Sequence, residues 1–227
     1  MPQKDDMLNI NQLKPISKEE WKKRQEEKEF RNIGNPILNL CRYDKYIVNE
    51  DGSYTCFNDV YFFHCDFKYF PIKFKEINGH FTVSNYNDIT NSLNSLINGP
   101  EIVNGTFNCN SNSLTSLQYC PKVVKNDFIC FHNKLTSLKF SPEVINGNFY
   151  CNNNQLSTLK FCPKIIKENF YCDENPLTDF SYFPDHIGKN LYCNKEHYKT
   201  FQSLYKNRIK GGIVYHDLDK WINWEPI

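Results

Sequence analysis

No run of apolar residues in this chain approaches the ~20 needed for a membrane-spanning helix. Met1 to Ile10 lacks the apolar core of a signal peptide. The expectation is therefore a non-secreted chain that works in the cytoplasm, away from membranes. A basic excess is missing too: 27 Lys and Arg face 26 Asp and Glu. That balance argues against a dedicated nucleic-acid binder. No C-x-x-C, Gly-rich phosphate loop or nucleophile elbow occurs. Nothing therefore argues for an enzyme, and no metal or cofactor is expected. Alanine is absent, while asparagine reaches 30 and lysine 23 against four arginines. Residues with AT-rich codons dominate, which bears on genome composition and says nothing of mechanism. With no secretion signal, the ten cysteines are expected to be reduced thiols.

What the 227 residues do contain is a repeat. Cys109, Cys130, Cys151, Cys172 and Cys193 stand 21 apart. Leu114, Leu135, Leu156 and Leu177 keep the same phase, as do Pro100, Pro121, Pro142, Pro163 and Pro184. Asn91, Asn112, Asn133, Asn154 and Asn175 follow it as well. One unit reads F-x-C-x-x-N-x-L-x-x-L, then a short step to Pro and to Ile or Val; FYCNNNQLSTL, from Phe149 to Leu159, is a clean copy. Strands are expected near residues 60, 81, 107, 128, 149, 170 and 191. Phe and Cys, two apart, point to one side of such a strand. One unit cannot bury its apolar face, so units must stack and share a core. The Asn lies where the chain leaves the strand, placed to satisfy backbone groups there. The short return is expected to be extended or 3₁₀, started by the Cys-Pro or Ser-Pro step.

The pattern resembles the leucine-rich repeat, L-x-x-L-x-L-x-x-N/C-x-L, with Phe and Cys in two of the Leu slots. Strings such as NGNFYCNNNQLSTL are similar to leucine-rich-repeat proteins of phages and giant viruses, a source consistent with the AT-rich composition. The resemblance implies an α/β, mostly β solenoid with a parallel concave sheet of about seven strands and short convex segments. It also implies a recognition scaffold that binds a protein partner.

The expected organisation has four parts. Residues 1–43 form an N-terminal arm, in which Ser17-Lys18-Glu19-Glu20 opens a charged helix. That helix is either a solvated arm or a docking segment. Residues 44–58 form a β-hairpin cap turning at Asp51-Gly52. Residues 59–197 form the solenoid. Residues 198–227 form a C-terminal cap, with a short helix from Tyr198 to Ile209 and with Trp221 or Trp224 as a lid.

The cysteine row invites a metal reading, but an in-line row on parallel strands does not converge into a tetrahedron. Cys is better read as a small apolar residue in a tight inward slot. His132 follows Cys130 by two, but it falls in the turn after the strand, out of place for a nucleophilic pair. Asp173 and Glu174 read as solvated carboxylates. The informative positions face outward. Ile129, Tyr150, Tyr171 and Tyr192 occupy the slot between Phe and Cys; Phe131, Asn152 and Asp173 occupy the slot after Cys. With Asn148, Asn169 and Asn190 beside them, they form an aromatic and amide surface of the kind used in recognition. These residues are the expected partner-binding face. Lys122, Lys125, Lys139, Lys160, Lys164 and Lys167 fall in the return segments. The alternative is a structural or assembly protein, a viral or phage component, that self-associates through its arm and caps.

Overall fold

A computed structural model describes residues 46–63, 67–85 and 93–215. The arm, Cys65, Asn91, Trp221 and Trp224 lie outside these residues. The described residues open with a hairpin, β1 (Tyr46–Val48) and β2 (Tyr54–Cys56), paired antiparallel. Its turn holds Gly52 at φ +76°, a left-handed position that glycine takes without a Cβ clash. Asp51 anchors the turn, accepting from the Ser53 N–H at 3.1 Å and pairing with Lys73 at 2.7 Å. The Lys73 ammonium, then the Ser53 hydroxyl and N–H, hold its carboxyl well below the usual carboxylate range.

From there the chain winds as a parallel β-solenoid. One wall takes the strands expected from the repeat: β3 (Val60–Phe63), β5 (Phe81–Ser84), β7 (Phe107–Asn108), β9 (Phe128–Ile129), β11 (Phe149–Tyr150), β13 (Phe170–Tyr171) and β15 (Leu191–Cys193). Phe128, Phe149 and Phe170 stand directly opposite one another in register. An eighth strand, β16 (Ile213–Tyr215), extends this sheet beyond β15, so part of the tail continues the sheet.

The return segments are not merely extended. Ile or Val after each Pro forms a second set of short parallel strands: β4 (Phe74–Ile77), β6 (Ile102–Val103), β8 (Val123–Val124), β10 (Val144–Ile145), β12 (Ile165–Ile166) and β14 (His186–Ile187). They pair in the order β1-β2-β4-β6-β8 and, separately, β10-β12-β14. Between β8 and β10 the backbone ladder is interrupted, and the Asn146 side chain donates to the Val124 carbonyl at 3.5 Å. In β8, β10 and β12 the first residue faces out and the second faces the core. Two-residue strands suffice because every coil repeats the same geometry and lends its neighbour a full set of partners.

The core is a file of rings and thiols between the two walls. Phe81, Phe107, Phe128, Phe149 and Phe170 are fully buried and touch in sequence at 5.3–5.9 Å between centroids. The Leu-x-x-Leu pairs, Leu114 with Leu117 through Leu156 with Leu159, are buried beside them. At the far end, α1 (Tyr198–Tyr205) buries Phe201 against Phe180 and Phe183, and the Tyr205 hydroxyl donates to the Phe180 carbonyl at 2.6 Å. The helix ends at Tyr205, and a 3₁₀ turn, Lys206–Arg208, completes the stretch expected to be helical. Among the described residues no helix is long and apolar enough to cross a membrane.

The asparagine slot has a definite job. Asn154 accepts the Leu135 N–H at 3.0 Å and donates to the carbonyls of Cys130, Cys151 and Asn152 at 3.0–3.2 Å. Asn133 and Asn175 repeat this set one coil to either side. Asn112 serves Leu93 and Val83 in the same way.

Candidate functional site

Every residue of the Phe slot is turned inward, so the residue between Phe and Cys is turned out. Ile129, Tyr150, Tyr171 and Tyr192 accordingly lie on the outer face of the eight-stranded sheet, each half-buried. The three tyrosines form a stack. Tyr150 and Tyr171 have centroids 4.3 Å apart, and Tyr171 and Tyr192 4.1 Å, with planes 10° apart in both pairs. Burial raises the Tyr171 hydroxyl well above the usual phenol range. Tyr150 shifts in the same direction for the same first reason. Tyr150 and Tyr171 therefore stay neutral at physiological pH. Phe131 extends it, meeting Tyr150 edge-on at 6.5 Å. The rings spend their faces on one another, so edges and a line of hydroxyls are what the surface presents.

The flanking slots differ from expectation. Asn148, Asn169 and Asn190 are committed to the fold. The Asn148 Oδ1 accepts the Asn169 N–H at 3.1 Å, the Asn169 Oδ1 accepts the Asn190 N–H at 3.0 Å, and the Asn190 Oδ1 accepts the Gly212 N–H at 2.8 Å. These carbonyls tie coil to coil and are not at hand to orient a partner. Asn152 is half-buried beside the stack. Asp173 is buried rather than solvated, at 8% exposure, whereas Glu174 is exposed and accepts from the Asn153 amide at 2.7 Å.

The cysteine row is inward throughout. Cys109, Cys130, Cys151, Cys172 and Cys193 are buried and free. Burial pushes the thiols of Cys109, Cys130, Cys151 and Cys172 well above their usual range, and those of Cys120 and Cys193 up to about 12. Thiols held protonated are poor nucleophiles and poor metal ligands. Cys130 donates instead to the Tyr150 carbonyl of the next coil at 3.3 Å. His132 is exposed, at φ 51°, in the turn after its strand. Among the described residues no group of three His, Cys, Asp or Glu is placed to hold a metal ion. Cys151→Ser should cost ~1–3 kcal/mol, because a hydroxyl replaces a thiol in an apolar slot. A urea titration checks this, and the native thiols should react with a labelling reagent only as the protein unfolds.

A second aromatic row escaped the sequence argument. Each coil leaves its Leu-x-x-Leu through a β-turn, closed in successive coils by Cys120 N–H to Leu117, Ser141 N–H to Leu138 and Cys162 N–H to Leu159, at 2.9–3.1 Å. The third turn residue is Tyr119, Phe140 or Phe161, at φ 67–78°. Such turns favour Gly or Asn there, and the first of the series does hold Asn98, at φ 67°. The 21-residue spacing of Tyr119, Phe140, Phe161 and Tyr182 was visible in the sequence; their exposure was not. Comparison with protein-family models, with curated proteins and with solved structures finds no match to this chain.

Proposed function

We propose that this chain is a non-enzymatic binding protein of the leucine-rich-repeat kind, which holds a protein partner on the outer face of its eight-stranded sheet. The observation that carries the reading is the stack of Tyr150, Tyr171 and Tyr192. A stacked row is already rigid, so little side-chain freedom is lost when a partner covers it. Tyrosine edges and hydroxyls supply apolar area and hydrogen bonds together. Ile129, Phe131 and Asn152 complete the proposed site, and Asp173, buried at 8% exposure, is left out of it. The Leu-x-x-Leu core and the asparagine that bridges coils support the repeat assignment; the second strand ladder on the return side departs from it. The alanine-free, Asn- and Lys-rich composition supports a viral or phage setting, with the protein in the host cytoplasm or in the virion.

The test is affinity purification of the full chain from its native host, with and without Tyr150→Ala plus Tyr171→Ala. The double variant should keep its thermal midpoint within ~2 °C, as expected for a surface change, and should lose the partner. Lys199→Ala, on α1, should keep it. If the tyrosine variant retains the partner and deletion of residues 1–43 releases it, the arm is the binding element and the chain is an assembly protein.

A further inference from the structure

The return wall carries more exposed apolar surface than its own fold needs. Tyr119, Phe140, Phe161 and Tyr182 are 48–51% exposed, one coil apart. Four residues on in each coil, Val123, Val144 and Ile165, the outward residues of β8, β10 and β12, are 37–44% exposed. Bulky residues at positive φ are outliers, and Gly or Asn would close the same turns without strain. Three successive aromatics take that position, with Lys139 over Phe140 at 5.1 Å and Lys160 over Phe161 at 5.3 Å. The four rings alone leave ~300–500 Å² uncovered, from ~150–250 Å² per aromatic side chain. With the β-branched row and the lysine stems, the band approaches the ~800 Å² that each partner contributes to a stable interface.

The charges bordering this band alternate from coil to coil. The residue just before each strand is Glu101, Lys122, Glu143, Lys164 and then Asp185, all exposed. On the other border Lys125 and Lys167 alternate with Asn104 and Asn146. Within the chain Lys122 already pairs with Glu101 at 3.8 Å and Lys164 with Glu143 at 4.0 Å, with all four side chains half-exposed or more, and such columns are complementary to themselves when reversed and offset by one coil. We propose that the outer face of the return wall is the interface of a dimer of this chain, with the coils of the two copies running antiparallel. The two-fold axis lies along the strand direction, in the gap between β8 and β10.

In that register Lys122 of each copy meets Glu143 of the other, and Lys164 meets Glu101. Val123 lies on Val144, and Tyr119 on Phe140. Lys125 meets Asn146, and Lys139 meets Gln118, so no column sets like charge on like. With the axis on the coil of Glu143, Lys122 would face Lys164, Lys125 would face Lys167, and Glu143 would face itself. With the axis along the solenoid, Lys122 would face Lys125. An isologous interface needs a patch complementary to itself, and like charges set face to face suppress the wrong registers. The dimer leaves both tyrosine stacks uncovered, so it is independent of the function proposed above.

Sedimentation equilibrium of the full chain tests this. The wild type should be dimeric at ~100 µM, a modest demand on an interface of this size. Phe140→Asn plus Phe161→Asn should be monomeric with an unchanged far-UV spectrum, since Asn suits the left-handed turn position. Lys122→Glu should weaken the dimer at least ~10-fold, because the contact occurs twice across the axis. Adding Glu143→Lys to Lys122→Glu should restore it. A wild type that stays monomeric at that concentration overturns the proposal, as does a dimer indifferent to the two Phe substitutions. A dimer strengthened by Lys122→Glu overturns the register.

Discussion

Phe149→Ala should destabilise the protein by ~3–5 kcal/mol, the usual cost of emptying a large aromatic site. Phe149 is fully buried in the middle of the ring file, stacked on Phe170 at 5.5 Å and edge-on to Phe128 at 5.8 Å. The walls on either side cannot close over the loss, because strand pairing fixes the coil spacing at ~4.8 Å. A void so placed weakens the contact between coils, on which a solenoid depends. Equilibrium unfolding in urea should show a large fall in midpoint. Tyr150→Ala, the adjacent substitution, should cost under ~1 kcal/mol, as surface changes do. Equal losses at 149 and 150 would mean that the tyrosine stack carries structural weight that its half-exposed position does not suggest.

Asn154→Ala should cost about 3 kcal/mol, the upper part of the range for leaving buried polar groups unpaired. One side chain satisfies the Leu135 N–H and three carbonyls, and alanine replaces none of these bonds. The neighbouring position gives the control. Asn153 sits at φ 51° with its amide on the surface carboxylate of Glu174. Asn153→Gly should be close to neutral, while Asn153→Ala should lose ~1 kcal/mol to the left-handed backbone. Thermal unfolding of the three variants separates a buried polar loss from a backbone effect. If Asn154→Ala behaved like Asn153→Gly, the bridging role of the asparagine slot would be refuted.

The inward half of the repeat was legible because burial imposes a strict choice at each slot. Phe149, Cys151, Asn154 and Leu156 each meet a constraint that few residues satisfy, and the 21-residue phase exposes it. The hairpin was legible from Asp51-Gly52, since the turn demands a left-handed glycine. The return strands were harder to see. Val123–Val124 and Ile165–Ile166 are too short to show alternation, and their pairing depends on neighbouring coils rather than on their own sequence. At the candidate site the outward direction of Tyr150, Tyr171 and Tyr192 followed from spacing. Their face-to-face stacking did not, because ring orientation is set by side-chain rotamers. Asn148 and Asn169 looked like free surface amides for a related reason: sequence does not show that each Oδ1 reaches the backbone of the next coil.

The reach of the bridging asparagines also gives the solenoid a direction in time. Each one serves an amide 19 residues earlier, as Asn154 does for Leu135 and Asn175 for Leu156. A coil leaving the ribosome is thus incomplete until the next has followed, a delay of about one to four seconds at ordinary synthesis rates. The newest coil always carries an open amide and open carbonyls, while everything behind it is closed. The chain has to stop this somewhere, and it does so where Glu196 takes the asparagine slot. There the Leu177 N–H turns to the Asn175 carbonyl at 2.8 Å, within its own coil. Synthesis from the amino end therefore completes these bridges one coil at a time, and the coil of Leu177 closes its own amide before β15 and β16 are added to the sheet.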